Sequence, residues 1–319
     1  MVIRDRAQLS ILCALGSSVA FSLNDVSVKW LSADYPLHQL VLMRATVALC
    51  ITLCLVVPLE GGLERLKTRR PFLHLLRGLC VVVANMAFFS SIAVIPLAEA
   101  TAIFFVAPLL ITAFSAVFLK EPVGIRRWSA LSIGFVGVIV IVRPGGLGFE
   151  WAFLLPLLAA VAYAALHTLT RNMGLSERAS TMAFYIQVTF IVVCTGMGVA
   201  FGDGRYAGSG HPAVEFLLRA WHWPDPSDWL IIAGMGLCSA SAGYLISQAY
   251  RMTQAGLVAP FEYTTLVLAV LWGYVIWNEF PTALSVIGIF LILGSGIFVA
   301  VREMHFGVGQ STRWISRRR

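Results

Sequence analysis

Charged side chains are scarce in this 319-residue chain: Asp, Glu, Lys and Arg make up only 12% of it, whereas 59% is hydrophobic. An ordinary soluble domain carries about 25% charged residues, which keep its surface hydrated. The scarcity excludes a typical soluble globule and indicates that lipid is the main solvent. We expect an all-α integral membrane protein, because helices satisfy their own backbone hydrogen bonds inside a bilayer.

Sequence signatures of nucleotide hydrolysis and of common hydrolases are also missing. The chain contains no P-loop GxxxxGK[ST], no GxSxG and no HExxH pattern. Its six cysteines lie inside apolar runs, without a CxxC pair or a histidine cluster. This pattern predicts small buried side chains rather than metal or redox sites. We therefore predict no cofactor, no metal and no enzymatic activity.

Apolar runs of membrane-spanning length recur along the chain, separated by mostly short connections. A helix rises about 1.5 Å per residue, so a run of roughly 20 residues crosses the hydrocarbon core. We predict ten spans, at residues 8–31, 37–57, 72–95, 97–119, 127–143, 151–170, 179–201, 229–250, 254–278 and 282–301. In the long connection 202–228, we predict a short interfacial helix that serves packing rather than a site.

Basic residues indicate which side of the membrane each connection faces. With the N-terminus inside, 17 of the 23 Lys and Arg residues fall in inner segments. Only four fall in outer segments: Lys29, Arg143, Arg205 and Arg219. Because cytoplasmic loops are enriched in Lys and Arg, we predict that both termini are cytoplasmic. The net charge of +7 is then a topology signal, which argues against nucleic acid as a partner.

The two halves of the chain repeat each other. Residues 98–143 and 256–301 both contain an apolar run that ends in a glutamate followed closely by proline, and Glu121 aligns with Glu279. In the first span of each half, Asp25 aligns with His167. Because each half has five spans, an odd number, the second half enters the membrane in the opposite orientation. This predicts inverted-topology repeats. The predicted units are 8–143, 151–301 and a basic cytoplasmic tail, 302–319.

Several motifs resemble those of a known family. They are PLAEATAIFFVAP, FLKEP and GFVGVIVIVRPG in the first half, and VAPFEYTTLVLAVLWGYVIWNEFP in the second. In this order and spacing they resemble the EamA-domain proteins of the drug/metabolite transporter superfamily. The resemblance implies two inverted five-helix repeats around a cavity lined by spans 1, 3, 4, 6, 8 and 9. The sequence of these motifs also resembles the branch that contains bacterial riboflavin and S-adenosylmethionine importers.

Glu262 is the best single candidate for a substrate-binding or coupling residue. It lies about 12 Å into the ninth span, closely after Pro260. A proline inside a span frees a backbone carbonyl and bends the helix, so an acid there suits a cavity. Its neighbour Tyr263 is a second candidate. The alternative is a protonated glutamate that ties this span to another helix.

Asp25 and Arg44 are charges inside predicted spans, where charge is costly and usually faces a cavity or a partner. Asp25, with Asn24 beside it, is either a substrate or proton site or the partner of Lys29 one turn away. For Arg44 we favour a structural pair, with Asp25 as one candidate partner.

The remaining candidates are polar or aromatic groups in spans expected to line the cavity. His167 is either a packing residue or a site residue. Further substrate-binding or coupling candidates are Phe105, Tyr163, Tyr244 and Gln248. Candidates for a structural or gating role are Arg44, Glu121, Glu279, Pro108 and Pro260. Aromatic rings in these spans suit stacking on a flat solute, such as a flavin or a nucleoside-like compound.

The leading functional hypothesis is a secondary transporter that moves a small organic metabolite by alternating access across the bacterial inner membrane. Its expected partners are a small-molecule substrate and the lipid bilayer. Intramembrane glycines allow close helix packing, either within one chain or in a homodimer. The alternatives are a membrane-embedded enzyme acting on a lipid-linked substrate, and a non-transporting scaffold or sensor.

Overall fold

The computed structural model is helical, with no strand among the residues that it describes: 2–59, 62–118, 120, 124–144, 150–173, 179–208, 210–252, 258 and 261–316. The first half contains α1 (Val2–Leu31), α2 (Leu37–Ile51), α3 (Pro71–Ile92), α4 (Leu97–Phe104), α5 (Ala107–Phe118) and α6 (Ile125–Val142). The second half contains α7 (Leu154–Met173), α8 (Ala179–Phe201), α9 (Pro212–Leu218), α10 (Trp229–Met252), α11 (Thr264–Trp277) and α12 (Ala283–Ser316). Helix α2 continues through a π-helical turn, Thr52–Val56, to a short segment that ends at Leu59.

Most of these helices suit a bilayer. Within the described residues, eight segments are long and apolar enough to cross a membrane, and α11 and the apolar part of α12 are shorter. Large apolar side chains point outward along them, as Leu230 and Val199 do with 82% and 83% of their surface exposed. Such side chains are stable on an outer surface only when lipid covers them.

The fourth predicted span is interrupted. Helix α4 ends at Phe104 and α5 begins at Ala107, so Phe105 and Val106 form a turn between them. Pro108 has no amide hydrogen and cannot donate to the Phe104 carbonyl, which removes one helical hydrogen bond at this point. Pro108, a candidate structural residue, therefore lies at a break that separates two helices.

Helix packing follows the duplication of the chain. Helix α1 packs on α10. Their counterparts in the other half, α7 and α3, also pack on each other. The equivalent helices α2 and α8 contact each other, and so do α6 and α12. Exchanging the two halves therefore leaves the packing pattern unchanged.

Contacts at the helix ends give the relative directions of these pairs. The C-terminal residue of α6 is followed by Arg143, which bonds Thr282 immediately before α12, so α6 and α12 run antiparallel. His38 near the start of α2 stacks on Trp221, whose ring lies against Gly198 near the end of α8. Helices α2 and α8 are therefore antiparallel as well.

The connection between α8 and α10 covers the end of the molecule where α1 turns into α2. Tyr35 is fully buried there, and its hydroxyl donates to Asp228 at 2.6 Å. His222 stacks on Tyr35 with ring centroids 4.6 Å apart. Helix α9 confirms the predicted short helix in this connection, and its Phe216 is 1% exposed.

One predicted boundary differs from the structure. Helix α12 continues to Ser316, so most of the segment predicted as a separate basic tail extends the last helix. In the ninth predicted span, residues 254–257, 259 and 260 lie outside the described residues; Phe261 and Glu262 are helical, and α11 begins at Thr264 after a turn at Tyr263. Glu121 and Pro260, two candidate structural residues, lie outside the described residues.

Candidate functional site

A buried cluster of polar side chains joins α1, α2 and α3. The Arg44 guanidinium donates through Nη2 to Asn85 Oδ1 at 2.7 Å and through Nη1 to Asn24 Oδ1 at 3.3 Å. Asn24 Nδ2 in turn donates to Asp25 Oδ1 at 3.2 Å. Arg44 is only 5% exposed, and its guanidinium lies over the rings of Phe89 and Phe190. We call Asn24, Asp25, Arg44 and Asn85 the outer polar cluster, after the side of the membrane on which the predicted topology places them.

This cluster differs from the expected pairings. Arg44 and Asp25 are within electrostatic reach, but two asparagine oxygens, and not the carboxylate, bind the guanidinium directly. Lys29 does not pair with Asp25 one turn away, since its Nζ lies 2.6 Å from Glu279 Oε2. Asp25 is thereby left free of an ion pair within 4 Å among the described residues, which favours its interpretation as a site residue over a helix-anchoring pair.

The exposed surface of α1 shows which way Asp25 faces. At about 100° per residue, the exposed apolar side chains of α1 fall within an arc of roughly 80° that must face lipid. These side chains are Leu9, Leu12, Val19, Leu23 and Trp30. Phe21 and Asp25 lie roughly on the opposite side, yet Phe21 is 38% exposed. They therefore line an internal space.

Helix α7 repeats this arrangement in the second half. Its exposed apolar residues Leu154, Leu158 and Val161 share one face. Tyr163 and His167, which align with Phe21 and Asp25, lie roughly opposite that face, and their rings are 4.4 Å apart. The predicted repeat thus places equivalent side chains toward the interior in both halves.

A chain of aromatic rings connects the outer polar cluster with Tyr163 and Tyr263. Successive ring centroids lie 5.1 to 6.2 Å apart, within the range of aromatic contacts. The chain starts at Phe89 beneath Arg44 and branches at Phe104. Its members are Phe89, Phe88, Phe104, Tyr163, Phe105 and Tyr263. We call these six residues the aromatic track.

The end of the aromatic track farther from the outer polar cluster carries the candidate Glu262. Its carboxylate lies within electrostatic reach of both Tyr163 of α7 and Tyr263, which immediately precedes α11. Tyr263 is 5% exposed, and its hydroxyl packs against Gly296 of α12. The structure thus brings Glu262, Tyr163, Tyr263 and His167 together, although they are up to 100 positions apart in the chain.

Arg77 is a further candidate, to which the sequence analysis assigned no role. It is 4% exposed in α3 and donates from Nε to Thr170 Oγ1 of α7 at 2.8 Å. It also lies within electrostatic reach of His167. Its presence about 9 Å inside the third span is the same signal that drew attention to Arg44.

Two candidates lie elsewhere. Tyr244 is 43% exposed and shares a face of α10 with the exposed Leu230 and Leu237, which places it toward lipid. Gln248, one turn further, is half-buried on the same face. Neither contacts a residue of the outer polar cluster or of the aromatic track through a hydrogen bond or ring contact among the described residues.

Glu279 belongs to a set of polar contacts that joins the two halves at the end of the molecule near Tyr35. Besides Lys29 with Glu279, buried Glu99 accepts a hydrogen bond from Ser285. The Ser285 hydroxyl also hydrogen-bonds the Thr282 hydroxyl, which accepts a hydrogen bond from Arg143. Glu99 is 6% exposed, so its carboxylate lies inside this set of contacts. A structural or gating role of Glu279 is consistent with this position.

Comparison with known proteins gives consistent matches over most of the chain. The EamA-like transporter family matches twice, at residues 8–143 and 150–301. A riboflavin transporter of Rhizobium johnstonii is 29% identical over 301 residues, which cover 94% of this chain and 93% of the relative. An S-adenosylmethionine uptake transporter of Rickettsia bellii is 26% identical, with coverage of 90% and 91%.

Two further matches extend this result. The pseudopaline exporter CntI of Pseudomonas aeruginosa is 25% identical, covering 92% of this chain and 96% of the relative. A solved crystal structure superposes with a TM-score of 0.60 at 20% identity, covering 93% of this chain and 97% of that one. At this identity the likeness concerns the fold.

Proposed function

The chain belongs to the EamA-like transporter family, and from this premise we propose that it moves a planar aromatic metabolite by alternating access. It is a multi-pass protein of the bacterial inner membrane and a secondary transporter of a small metabolite. The proposal concerns which metabolite it carries and how the halves move. The observation that carries it is the aromatic track, which joins two polar ends.

The track suits a flat solute for two reasons. Its rings sit at successive distances that let a planar ring system exchange one stacking partner for the next. Polar groups occur at both ends, with Asp25 at one and Glu262 at the other. The named substrates of two relatives, riboflavin and S-adenosylmethionine, both contain a planar heteroaromatic ring. A flavin or an adenine-containing compound is therefore our preferred substrate class.

The alternating-access part of the proposal rests on inverted repeats. We infer ten spans in two halves of five, with both termini cytoplasmic. Antiparallel packing of the equivalent pairs α2 with α8, and α6 with α12, supports this inversion. Halves related in this way can rock about a central site. The two halves exchange conformations between the outward-open and the inward-open state. The contacts of Lys29 and Glu99 with the second half then close the outer side.

Binding and uptake in proteoliposomes test the proposal. We expect saturable uptake of riboflavin or S-adenosylmethionine, and competition by other planar heteroaromatic compounds. Stacking on one ring is worth about 1–3 kcal/mol, so Phe104→Leu should weaken binding about tenfold. Phe290→Leu is the matched control, because Phe290 is 69% exposed on the outer surface of α12. Uptake of small aliphatic solutes without competition from any aromatic compound would refute the substrate class.

A further inference from the structure

Among the described residues, Arg44 Nε is buried without a hydrogen-bond partner, and two groups on the other side chains of the outer polar cluster remain available to a solute. Asn24 uses its oxygen for Arg44 and its nitrogen for Asp25, so its side chain is engaged at both atoms. Asn85 uses only its oxygen, which accepts from Arg44 Nη2, and its Nδ2 amide remains as a donor. Asp25 uses only Oδ1, and Oδ2 remains as an acceptor.

These two groups are open to the interior. The fully buried polar atoms that lack a partner include neither Asp25 Oδ2 nor Asn85 Nδ2, so both atoms are accessible. Both side chains are half-buried. Asp25 lies opposite the lipid-facing side of α1. Asn85 likewise lies away from the exposed residues Leu75, Leu79 and Val83 of α3. The accessible donor and acceptor therefore face the internal space and not the bilayer.

Arg44 holds this donor and acceptor in place. Its two terminal nitrogens bind Asn85 directly and Asp25 through Asn24, so both groups are oriented by one planar guanidinium. The rings of Phe89 and Phe190 fix the guanidinium from its faces. Arg44 is therefore a positioning residue, and the groups that meet a solute are Asp25 Oδ2 and Asn85 Nδ2.

We propose that Asp25 and Asn85 bind one edge of the transported solute, and that this edge presents an N–H donor beside a carbonyl or ring-nitrogen acceptor. Such an edge is found on amide-like and amino-substituted nitrogen heterocycles. This inference rests on the proposed function, because the aromatic track reaches the cluster at Phe89, so a ring stacked on the track would present an edge to Asp25 and Asn85. It adds to the proposed function which edge of the planar solute is bound and by which two side chains.

Other solute chemistries match this pair less well. A carboxylate offers only acceptors, so it satisfies Asn85 Nδ2 but leaves Asp25 Oδ2 facing like charge. A purely hydrocarbon ring leaves both groups desolvated without partners, which costs free energy. The cluster therefore selects against acids and unsubstituted aromatic compounds that the track alone would accept.

Methylation of the donor nitrogen tests the inference in the unmodified protein. The probes are riboflavin against 3-methylriboflavin, and adenosine against N6,N6-dimethyladenosine, measured as binding to the purified full chain in nanodiscs. Methylation removes the N–H that Asp25 Oδ2 would accept and leaves this oxygen desolvated without a partner. For each compound that binds, we therefore expect its methylated form to bind about tenfold or more weakly. Equal affinity of the two members would overturn the inference.

Two variants assign the effect to the named residues. In Asp25→Ala the methylated and unmethylated members should bind within about twofold of each other, because the acceptor for the N–H is gone. In Asn85→Ala both members should weaken by the same factor, since both keep the acceptor. Ser27→Ala is the matched control two residues from Asp25, because its hydroxyl bonds only Leu23 of its own helix. Full discrimination in Asp25→Ala would contradict the assignment.

The results also separate this inference from the proposed function. If neither riboflavin nor adenosine compounds bind, the planar-solute proposal itself fails. If one of them binds but methylation and Asp25→Ala have no differential effect, only the edge recognition fails. The methylation comparison uses the unmodified protein, so it can still refute the inference if a variant folds poorly.

Discussion

Lys29 Nζ lies 2.6 Å from Glu279 Oε2, and this ion pair joins residues 250 positions apart in the two halves of the chain. Lys29 is the more buried partner, with 8% of its side chain exposed against 31% for Glu279. The ammonium also lies 4.7 Å from the Trp277 ring centroid. The pair lies at the end of the molecule where α1 is followed by α2. It connects the two halves at the entrance that we propose on the outer side.

We predict that Lys29→Ala loosens the contact between the halves on this side. The replacement leaves Glu279 without its cation, and an unpaired, partly buried charge costs about 1–3 kcal/mol. A cysteine replacing Phe21, two helical turns further inside α1, should then react several-fold faster with an impermeant thiol reagent added outside. The rate is compared with that of Phe21→Cys in the chain that retains Lys29.

The charge-swapped double variant Lys29→Glu/Glu279→Lys should restore slow labelling. Asp203→Ala is the control, because Asp203 and Arg205 form an ion pair that is more than half exposed. Unchanged labelling in Lys29→Ala would show that this ion pair does not hold the entrance closed.

We predict that Gly288→Ala destabilises the contact between α6 and α12. A Cβ at Gly288 would lie 2.7 Å from the Gly137 carbonyl oxygen and 2.5 Å from Ile141 Cγ1. Backbone cannot move aside cheaply, so overpacking should cost about 1–3 kcal/mol. The measurement is the thermal unfolding midpoint in detergent. Gly294→Ala, where nothing lies within 4 Å of the new Cβ, should leave it unchanged; equal effects would contradict a tight contact.

Glu262→Gln distinguishes proton coupling from a structural role of this acid. The amide keeps the shape of the protonated acid but cannot exchange a proton. If proton exchange drives transport, concentrative uptake should disappear while substrate exchange persists. If Glu262 instead pairs with a cation to gate the site, exchange should change too, and His167→Ala should produce a similar defect. Both readouts are measured in proteoliposomes with an imposed pH gradient.

The control for Glu262 is Glu64→Gln, an exposed acid in the connection between α2 and α3. It should behave as the unmodified protein does. Normal binding, uptake and protein level in Glu262→Gln would identify Glu262 as a packing residue and remove it from the site.

Reporter fusions test the orientation of the chain. Fusions at Thr68 and Arg319 should report cytoplasm, and a fusion at Gly208 should report the outside. The excess of Lys and Arg in the inner segments motivates this expectation. A cytoplasmic signal from Gly208 would contradict the ten-span topology and the inverted repeat together.

The sequence by itself determined the membrane setting, the family and the approximate position of most spans. This is possible because lipid acts on each segment separately: a spanning helix must be long and apolar whatever its neighbours are. The duplication was also readable, since Asp25 and His167 occupy equivalent places in related stretches. Residues such as Glu262 and Arg44 were recognisable because charge inside a span is rare.

Only the tertiary structure decided which of these side chains meet. From the sequence, the candidate partner of Lys29 was Asp25 one turn away, but helix packing brings Glu279 to it from the other half. The two asparagines that bind Arg44 lie 20 and 41 positions away, and the rings of the aromatic track come from four separate segments. Hydropathy and charge set the depth of a residue in the membrane, whereas its contacts depend on how helices distant in the chain rotate and pack against each other.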